Sequence, residues 1–90
     1  MGIPHIYATV ESTVCQPDNL RITLIGGAVI KLPATLRNNV GLIQSGDNLL
    51  GDFALWSEGG YAHFYVLCDG NLATHFVARR DECVLEGMFL

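Results

Sequence analysis

The residue types that most often bind metal ions are present in this chain, but their spacing does not form a metal-binding motif. The chain has three histidines and three cysteines: His5, His63, His75, Cys15, Cys68 and Cys83. Structural zinc sites use Cys or His pairs that lie a few residues apart, such as CxxC. No CxxC pair occurs here and the histidines lie far apart in the sequence. We therefore predict no metal site, no cofactor and unpaired thiols in a reducing compartment.

Catalysis requires a nucleophile, a base and an acid that meet in one pocket. Three carboxylates could supply acid–base chemistry: Asp47, Asp52 and Glu58. Each lies in or beside a predicted turn, where carboxylates are common. A domain of 90 residues also leaves little room for a pocket. The sequence therefore predicts a binding protein and not an enzyme.

Aromatic and basic side chains are the remaining candidates for chemistry, and together they could bind RNA. A base stacked on an aromatic ring contributes about 1–3 kcal/mol. Four aromatic residues lie close together in the sequence: Trp56, Tyr61, Phe64 and Tyr65. Because alternate residues of a strand fill the core, we expect about half of these rings to be buried. The pair Arg79-Arg80 is more typical of a solvated surface than of a phosphate site.

The charge balance opposes tight RNA binding by this chain alone. Five Lys and Arg against nine Asp and Glu give a net charge of −4 and a pI near 5.0. Neutralisation of phosphates supplies most of the affinity of nucleic-acid-binding proteins, which are usually basic. Docking beside other, basic proteins remains compatible with this charge.

Regularly spaced turn residues predict an all-β fold. Five strand segments alternate with Gly, Pro, Asp and Asn turns, over about residues 6–14, 20–25, 28–32, 48–56 and 61–68. Pro33 ends the third strand and favours a short helix over Ala34–Asn39. Apolar residues at near-helical spacing predict a C-terminal helix over about residues 72–85. This layout predicts one domain, residues 1–90, with a five-stranded barrel of the OB type over about 6–68.

Four segments of the chain resemble the translation initiation factor 1A family, which includes bacterial initiation factor one. They are Ala8-Thr9-Val10, residues 19–24 (NLRITL), residues 31–43 (KLPATLRNNVGLI) and Ser45-Gly46-Asp47. The sequence FYVLC at 64–68 is similar to the eukaryotic branch of the same family. The likeness covers roughly residues 7–76.

The resemblance implies an OB barrel that binds ribosomal RNA on the small subunit. Carried onto this chain, the RNA-facing residues are Arg37, Lys31 and Asn38, to which we add Arg21 and Tyr65 as candidates. The chain also departs from the family. Asn38, Asn39 and Gly41 stand where further basic or aromatic residues are usual, and we expect no counterpart of the charged tails of the family's eukaryotic members.

An OB module that binds another protein is the alternative prediction. Its basis is the negative charge together with the apolar segment 84–90, which ends in Met88, Phe89 and Leu90 as the candidate partner-binding residues. Chain ends are usually frayed and polar, so bulky apolar residues there favour packing on the barrel or on a partner. The sequence has no signal-peptide pattern and no apolar run of about 18 residues, so we expect a cytoplasmic protein without a membrane segment.

Overall fold

Seven β-strands and one short helix make up the computed structural model, which describes residues 5–52 and 60–87. The strands are β1 (His5–Cys15), β2 (Asn19–Leu24), β3 (Val29–Pro33), β4 (Asn48–Asp52), β5 (Tyr61–Cys68), β6 (Asn71–Arg79) and β7 (Val84–Glu86). They form one antiparallel sheet in the order β6-β5-β4-β1-β2-β3-β7. The prediction of an all-β fold is confirmed.

The long strand β1 divides the sheet into two halves. Residues 5–9 pair with β4, and the remainder of β1 pairs with β2. Glu11 is an extra residue at this point, where the register shifts between Val10 and Ser12. A bulge of this kind bends its strand and increases the local twist. We call the part containing β4, β5 and β6 the β4 half, and the part containing β2, β3 and β7 the β2 half.

Alternating apolar residues from both halves fill one common core. Among the described residues, the largest fully buried side chains are Val10, Leu20, Ile22, Leu24, Ile30, Leu32, Val40, Leu49, Phe64 and Val66. On β2 and β3 every second residue is buried, which is the pattern of a sheet with one face inward. The rings of Phe64 and Phe76 stack across β5 and β6, with centroids 5.1 Å apart.

The predicted short helix between the third and fourth strands is confirmed. A 3-10 turn (Ala34–Leu36) follows Pro33 and leads directly into α1 (Arg37–Val40). Val40 and, just beyond the helix, Ile43 are buried in the core. The Asn39 side-chain amide donates a hydrogen bond to Thr74 Oγ1 of β6 at 3.1 Å. The helix therefore lies against the core and is tied to β6, an end strand of the sheet.

The predicted C-terminal helix over residues 72–85 is wrong, because this segment forms β6, a 3-10 turn (Arg80–Glu82) and β7. Asp69 and Gly70 both have positive φ, 52° and 81°, and form a two-residue turn between β5 and β6. Such turns match the twist of paired strands and fold the next segment back as a hairpin. An extra residue, Ala73, then shifts the register of β6 by one, so that Thr74 lies opposite Val66.

The predicted five-stranded closed barrel also differs from the structure. The sheet has seven strands, and within the described residues its end strands β6 and β7 do not pair with each other. The predicted strands agree with β1 to β5 to within a few residues, although the predicted end of the fourth strand at Trp56 lies outside the described residues. No helix in the described part of the chain is long and apolar enough to cross a membrane.

Two isoleucines near the end of β2 provide a matched test of this core. Ile22 is 0% exposed and Ile25 is 62% exposed. We expect Ile22→Ala to lower the free energy of unfolding by about 2–5 kcal/mol, because it removes buried methyl groups and leaves a cavity. Ile25→Ala should change it by about 0.5 kcal/mol or less. Urea unfolding curves measure both, and equal losses in the two variants would contradict this register of β2.

Candidate binding surfaces

Strand alternation places two tyrosines and three histidines on the outer surface of the β4 half. One row of cross-strand neighbours contains Tyr7, Leu50, Tyr65 and His75, and the next contains His5, Asp52, His63 and Val77. Their strand neighbours Phe64, Val66 and Phe76 are buried on the opposite side. We call these eight residues the tyrosine–histidine face.

Within this face, the His75 ring contacts the rings of both Tyr65 and His63. Tyr65 stacks on His75 with centroids 4.5 Å apart and planes inclined by 6°. His75 also lies beside His63, and His63 Nδ1 is 3.4 Å from His75 Nε2. Tyr7 is 64% exposed, so much of its ring is available to a ligand. Tyr65, one of the predicted RNA-binding residues, is half-buried and lies within this row of rings.

Little formal charge lies on or beside this face. Asp52 Oδ1 is 3.6 Å from His5 Nε2. Arg79 lies at the margin, opposite Tyr61, and its guanidinium contacts the Asp81 carboxylate at 3.3 Å. Arg79 and Asp81 also line a shallow cavity of about 330 Å³ together with Gly60 and Arg80. The face is suited to ring stacking and apolar contact more than to phosphate binding.

Two of the predicted RNA-binding residues are neighbours on the β2 half. Arg21 lies directly opposite Lys31, and the same row continues to Val14 on β1 and to Val84 on β7. We call these four residues the basic row. Lys31 Nζ is 3.2 Å from Glu86 Oε2, so an ion pair offsets part of its charge. Arg21 Nε is buried and has no hydrogen-bond partner among the described residues.

The structure separates the remaining predicted residues from one another. Arg37 lies on α1, and its Nη2 donates a hydrogen bond to the Gln16 carbonyl oxygen at 2.8 Å, which ties the helix to the turn between β1 and β2. Asn38 is exposed beside it. Tyr65 lies on the other half of the sheet, beyond β1 and β4. Met88, Phe89 and Leu90 lie outside the described residues.

The carboxylates considered for catalysis have structural surroundings. Asp47 is buried, and its Oδ2 accepts a hydrogen bond from the Gln44 backbone N–H at 2.9 Å, which fixes the turn before β4. Asp52 lies beside His5. Glu58 lies outside the described residues. Within the described ranges no group of three or more His, Cys, Asp or Glu side chains is arranged to hold a metal ion.

Sequence reasoning did not connect Tyr7, His63 and His75 with a binding face: Tyr7 was not a candidate, and both histidines were considered only as metal ligands. The strand register that joins them is set by the two bulges and by the Asp69-Gly70 turn. Comparisons with protein-family models, with curated proteins and with solved structures each found no match for this chain. A functional proposal for this chain therefore depends on its own residues.

The three thiols differ in their surroundings. Cys15 and Cys68 are exposed, whereas Cys83 is buried. The negative charge of Asp47, a hydrogen bond to its carboxylate and the charge of Asp69 raise the pKa of the Cys68 thiol. Burial raises the pKa of Cys83 to about 12. The thiolate is the reactive form, so a catalytic cysteine has a lowered pKa. Neither Cys68 nor Cys83 has one.

The three thiols should react with an alkylating reagent at different rates. At mildly alkaline pH we expect iodoacetamide to label Cys15 fastest, Cys68 more slowly, and Cys83 only after urea unfolds the protein. The physical reason is that the raised pKa of Cys68 lowers its thiolate fraction although the side chain is exposed, whereas Cys83 is both buried and raised in pKa. Peptide mass mapping over a time course measures the three rates. Labelling of Cys83 in the folded protein as fast as Cys15 would contradict its burial.

Proposed function

We propose that this chain is a binding module, and not an enzyme, that contacts single-stranded RNA on a ribosome or another ribonucleoprotein. The observation that carries the proposal is the row of Tyr7, Leu50, Tyr65 and His75 on an exposed sheet surface. Sheets that bind single strands offer aromatic rings on which successive bases stack. Tyr7 and Tyr65 are two strands apart, roughly 10 Å at the usual strand spacing, so each ring has room for its own base.

Ring geometry supports this role for Tyr65. Its stacking on His75 holds the phenol ring in one orientation before a ligand arrives. A side chain that is already ordered loses less conformational entropy on binding. Tyr7 is more exposed and supplies additional ring surface.

Electrostatic attraction would contribute less to the RNA affinity than ring stacking does. Arg21 and Lys31 offer two adjacent cations on the β2 half, but Lys31 is paired with Glu86. Arg37 already donates one hydrogen bond to Gln16, although a guanidinium has further donors. The net charge of −4 adds a repulsive background. We therefore propose that stacking supplies most of the affinity and that other components of the particle supply the positive charge.

The element order supports a relationship to OB-type proteins of the initiation factor 1A kind. Three antiparallel strands, a short helix after the third, and a fourth strand that pairs back with β1 follow the order expected for that fold. We propose that residues 5–52 correspond to this part of an OB-type layout. In this proposal the β5–β6 hairpin and β7 are additions to it.

Protein binding is the second candidate function, and the basic row favours it. Val14 and Val84 are both exposed large apolar side chains, and they flank Arg21 and Lys31. Protein interfaces commonly combine an apolar centre with Arg, whereas a phosphate-binding surface is more uniformly basic. A protein partner would contact the β2 half and leave the tyrosine–histidine face open.

Substitution of Tyr65 tests the RNA proposal. We expect Tyr65→Ala to weaken binding of a fluorescent single-stranded RNA about 5- to 150-fold, since one stacked base contributes about 1–3 kcal/mol. Tyr65→Phe keeps the ring and should bind like the unmodified protein. Leu42→Ala, at an exposed residue after α1, is the remote control. Fluorescence anisotropy measures the dissociation constants, and circular dichroism confirms that each variant is folded.

Co-sedimentation with ribosomal subunits at low salt tests whether the protein binds the ribosome. A protein that remains free throughout the gradient, and that binds no single-stranded RNA, would overturn the proposal in favour of protein binding. Equal RNA affinity of the Tyr65→Ala variant would show that any RNA site lies elsewhere on the molecule.

The ion pair between Lys31 and Glu86 leads to a separate prediction about salt. Each single-strand phosphate contact contributes about −0.7 to the slope of log K against log salt. Contacts from Arg21 and Arg37 alone would give about −1.4, and Glu86→Gln should free Lys31 and move the slope toward about −2.1. Glu11→Gln removes the same charge at the exposed bulge of β1 and serves as the matched control. Identical slopes in the two variants would exclude Lys31 from the RNA contacts.

A further inference from the structure

Among the Lys and Arg side chains, only that of Arg21 has no hydrogen bond or ion pair within the described residues. The other four each have an interaction partner: Lys31, Arg37, Arg79 and Arg80. We propose that Arg21 anchors a protein partner on the β2 half by binding the carboxylate of an acidic side chain of that partner. This inference rests on the protein-binding candidate described above and is independent of RNA stacking.

The burial of the Arg21 guanidinium is the first argument. Arg21 belongs to the outer surface of β2, since its neighbours Leu20 and Ile22 are in the core. Its Nε atom is nevertheless buried and has no hydrogen-bond partner among the described residues. Most buried polar atoms in proteins are paired, because an unpaired one has lost its hydrogen bonds to water. An acceptor on a partner would remove this cost.

Asn19 provides the second argument. It lies two residues before Arg21 on the same surface of β2, and its Oδ1 atom is also buried without a hydrogen-bond partner. The two residues therefore offer an unpaired donor and an unpaired acceptor side by side. A polypeptide can satisfy both, because its carboxylates accept hydrogen bonds and its backbone N–H groups donate them. The phosphate oxygens of a nucleic acid accept only.

The charge around Arg21 suits a single carboxylate. Lys31 lies directly opposite Arg21, but its Nζ is 3.2 Å from Glu86 Oε2. The charge of Arg21 is therefore the uncompensated one of this pair. A carboxylate brings one negative charge and two oxygens, which match the N–H groups of a guanidinium in a bidentate pair. An RNA strand would bring a phosphate with every nucleotide to a chain of net charge −4.

Exposed valines at both ends of the basic row supply apolar contact area. Val14 lies directly opposite Arg21 on β1, and Val84 lies opposite Lys31 on β7. Protein interfaces commonly combine an apolar centre with Arg. Apolar contacts that exclude water also strengthen an ion pair beside them. We therefore expect the partner segment to have an acidic residue next to apolar ones.

Selection of a phage-displayed library of random peptides on the full chain tests the proposal. We expect the selected peptides to be enriched in Asp or Glu next to apolar residues. Fluorescence anisotropy with the selected peptides should show about 10- to 150-fold weaker binding by Arg21→Gln, the usual effect of losing a hydrogen bond to a charged group. Arg21→Lys keeps the charge but not the planar fork, and its loss should be smaller. Arg79→Gln removes the same charge from the β4 half and is the matched control.

A second measurement needs no ligand. Arg21→Met keeps much of the unbranched side chain and removes the unpaired donor, so the urea midpoint of the free protein should stay the same or rise. A guanidinium that supported the fold would instead give a lower midpoint when it is removed. Circular dichroism of all the variants confirms that the binding data compare folded proteins.

The proposal is overturned if the selected peptides lack acidic residues, if Arg21→Gln binds them as tightly as the unmodified protein, or if Arg21→Met lowers the urea midpoint. It is also overturned if no peptide is selected. In that case, weaker binding of single-stranded RNA by Arg21→Gln would identify Arg21 as a phosphate contact. Failure of the RNA proposal is a separate result, because Tyr65→Ala tests it on the other half of the sheet.

Discussion

Strand β1 pairs with β4 along its first part and with β2 along the rest, within a single sheet. The rest of the structure depends on how β1 changes from one neighbour to the other. At the transition, Val10 donates its backbone N–H to Asp47 at 2.8 Å and accepts one from Gly46 at 2.9 Å, while Ile25 donates to the Thr9 carbonyl. Buried backbone groups without partners are costly, and these bonds supply partners from both sides. The extra residue Glu11 remains exposed, so Val10 keeps its place in the core.

The bend at this point separates two outer surfaces whose side chains differ in chemical character. The β4 half has stacked rings and little charge, whereas the β2 half has the Arg21–Lys31 pair with apolar neighbours. A ligand that used both surfaces would have to follow the curvature of the sheet around β1. A short ligand would use only one of the two surfaces. Substitutions on the β4 half should therefore affect RNA stacking, and substitutions on the β2 half should affect protein contact.

Local patterning was sufficient to predict β1 to β5 and the helix after Pro33, because alternation and turn residues act over short stretches. The meeting of Arg21 and Lys31 depends instead on a three-residue connection, Ile25-Gly26-Gly27, in which both glycines have positive φ. A two-residue turn at Gly26-Gly27 would have placed Arg21 opposite Leu32. Residues 72–85 were misassigned because Leu72, Phe76 and Val77 fit helical spacing, while the buried side chains of β6 are Thr74, Phe76 and Ala78. The tyrosine–histidine face could not be predicted, because it needs the register of four strands at once.

Ala73 decides which side of β6 meets water. If the hairpin were counted outward from Asp69-Gly70 with no extra residue, His75 would lie opposite Phe64 and Phe76 opposite His63. The observed register places Phe76 opposite Phe64 and His75 opposite Tyr65. A shift of one residue exchanges the two faces of a strand. Length changes are therefore subject to parity: because turn length and strand register are coupled in a hairpin, a single deletion in β6 or in the Asp69-Gly70 turn would turn the apolar side of β6 outward, whereas a change of two residues would keep it inward.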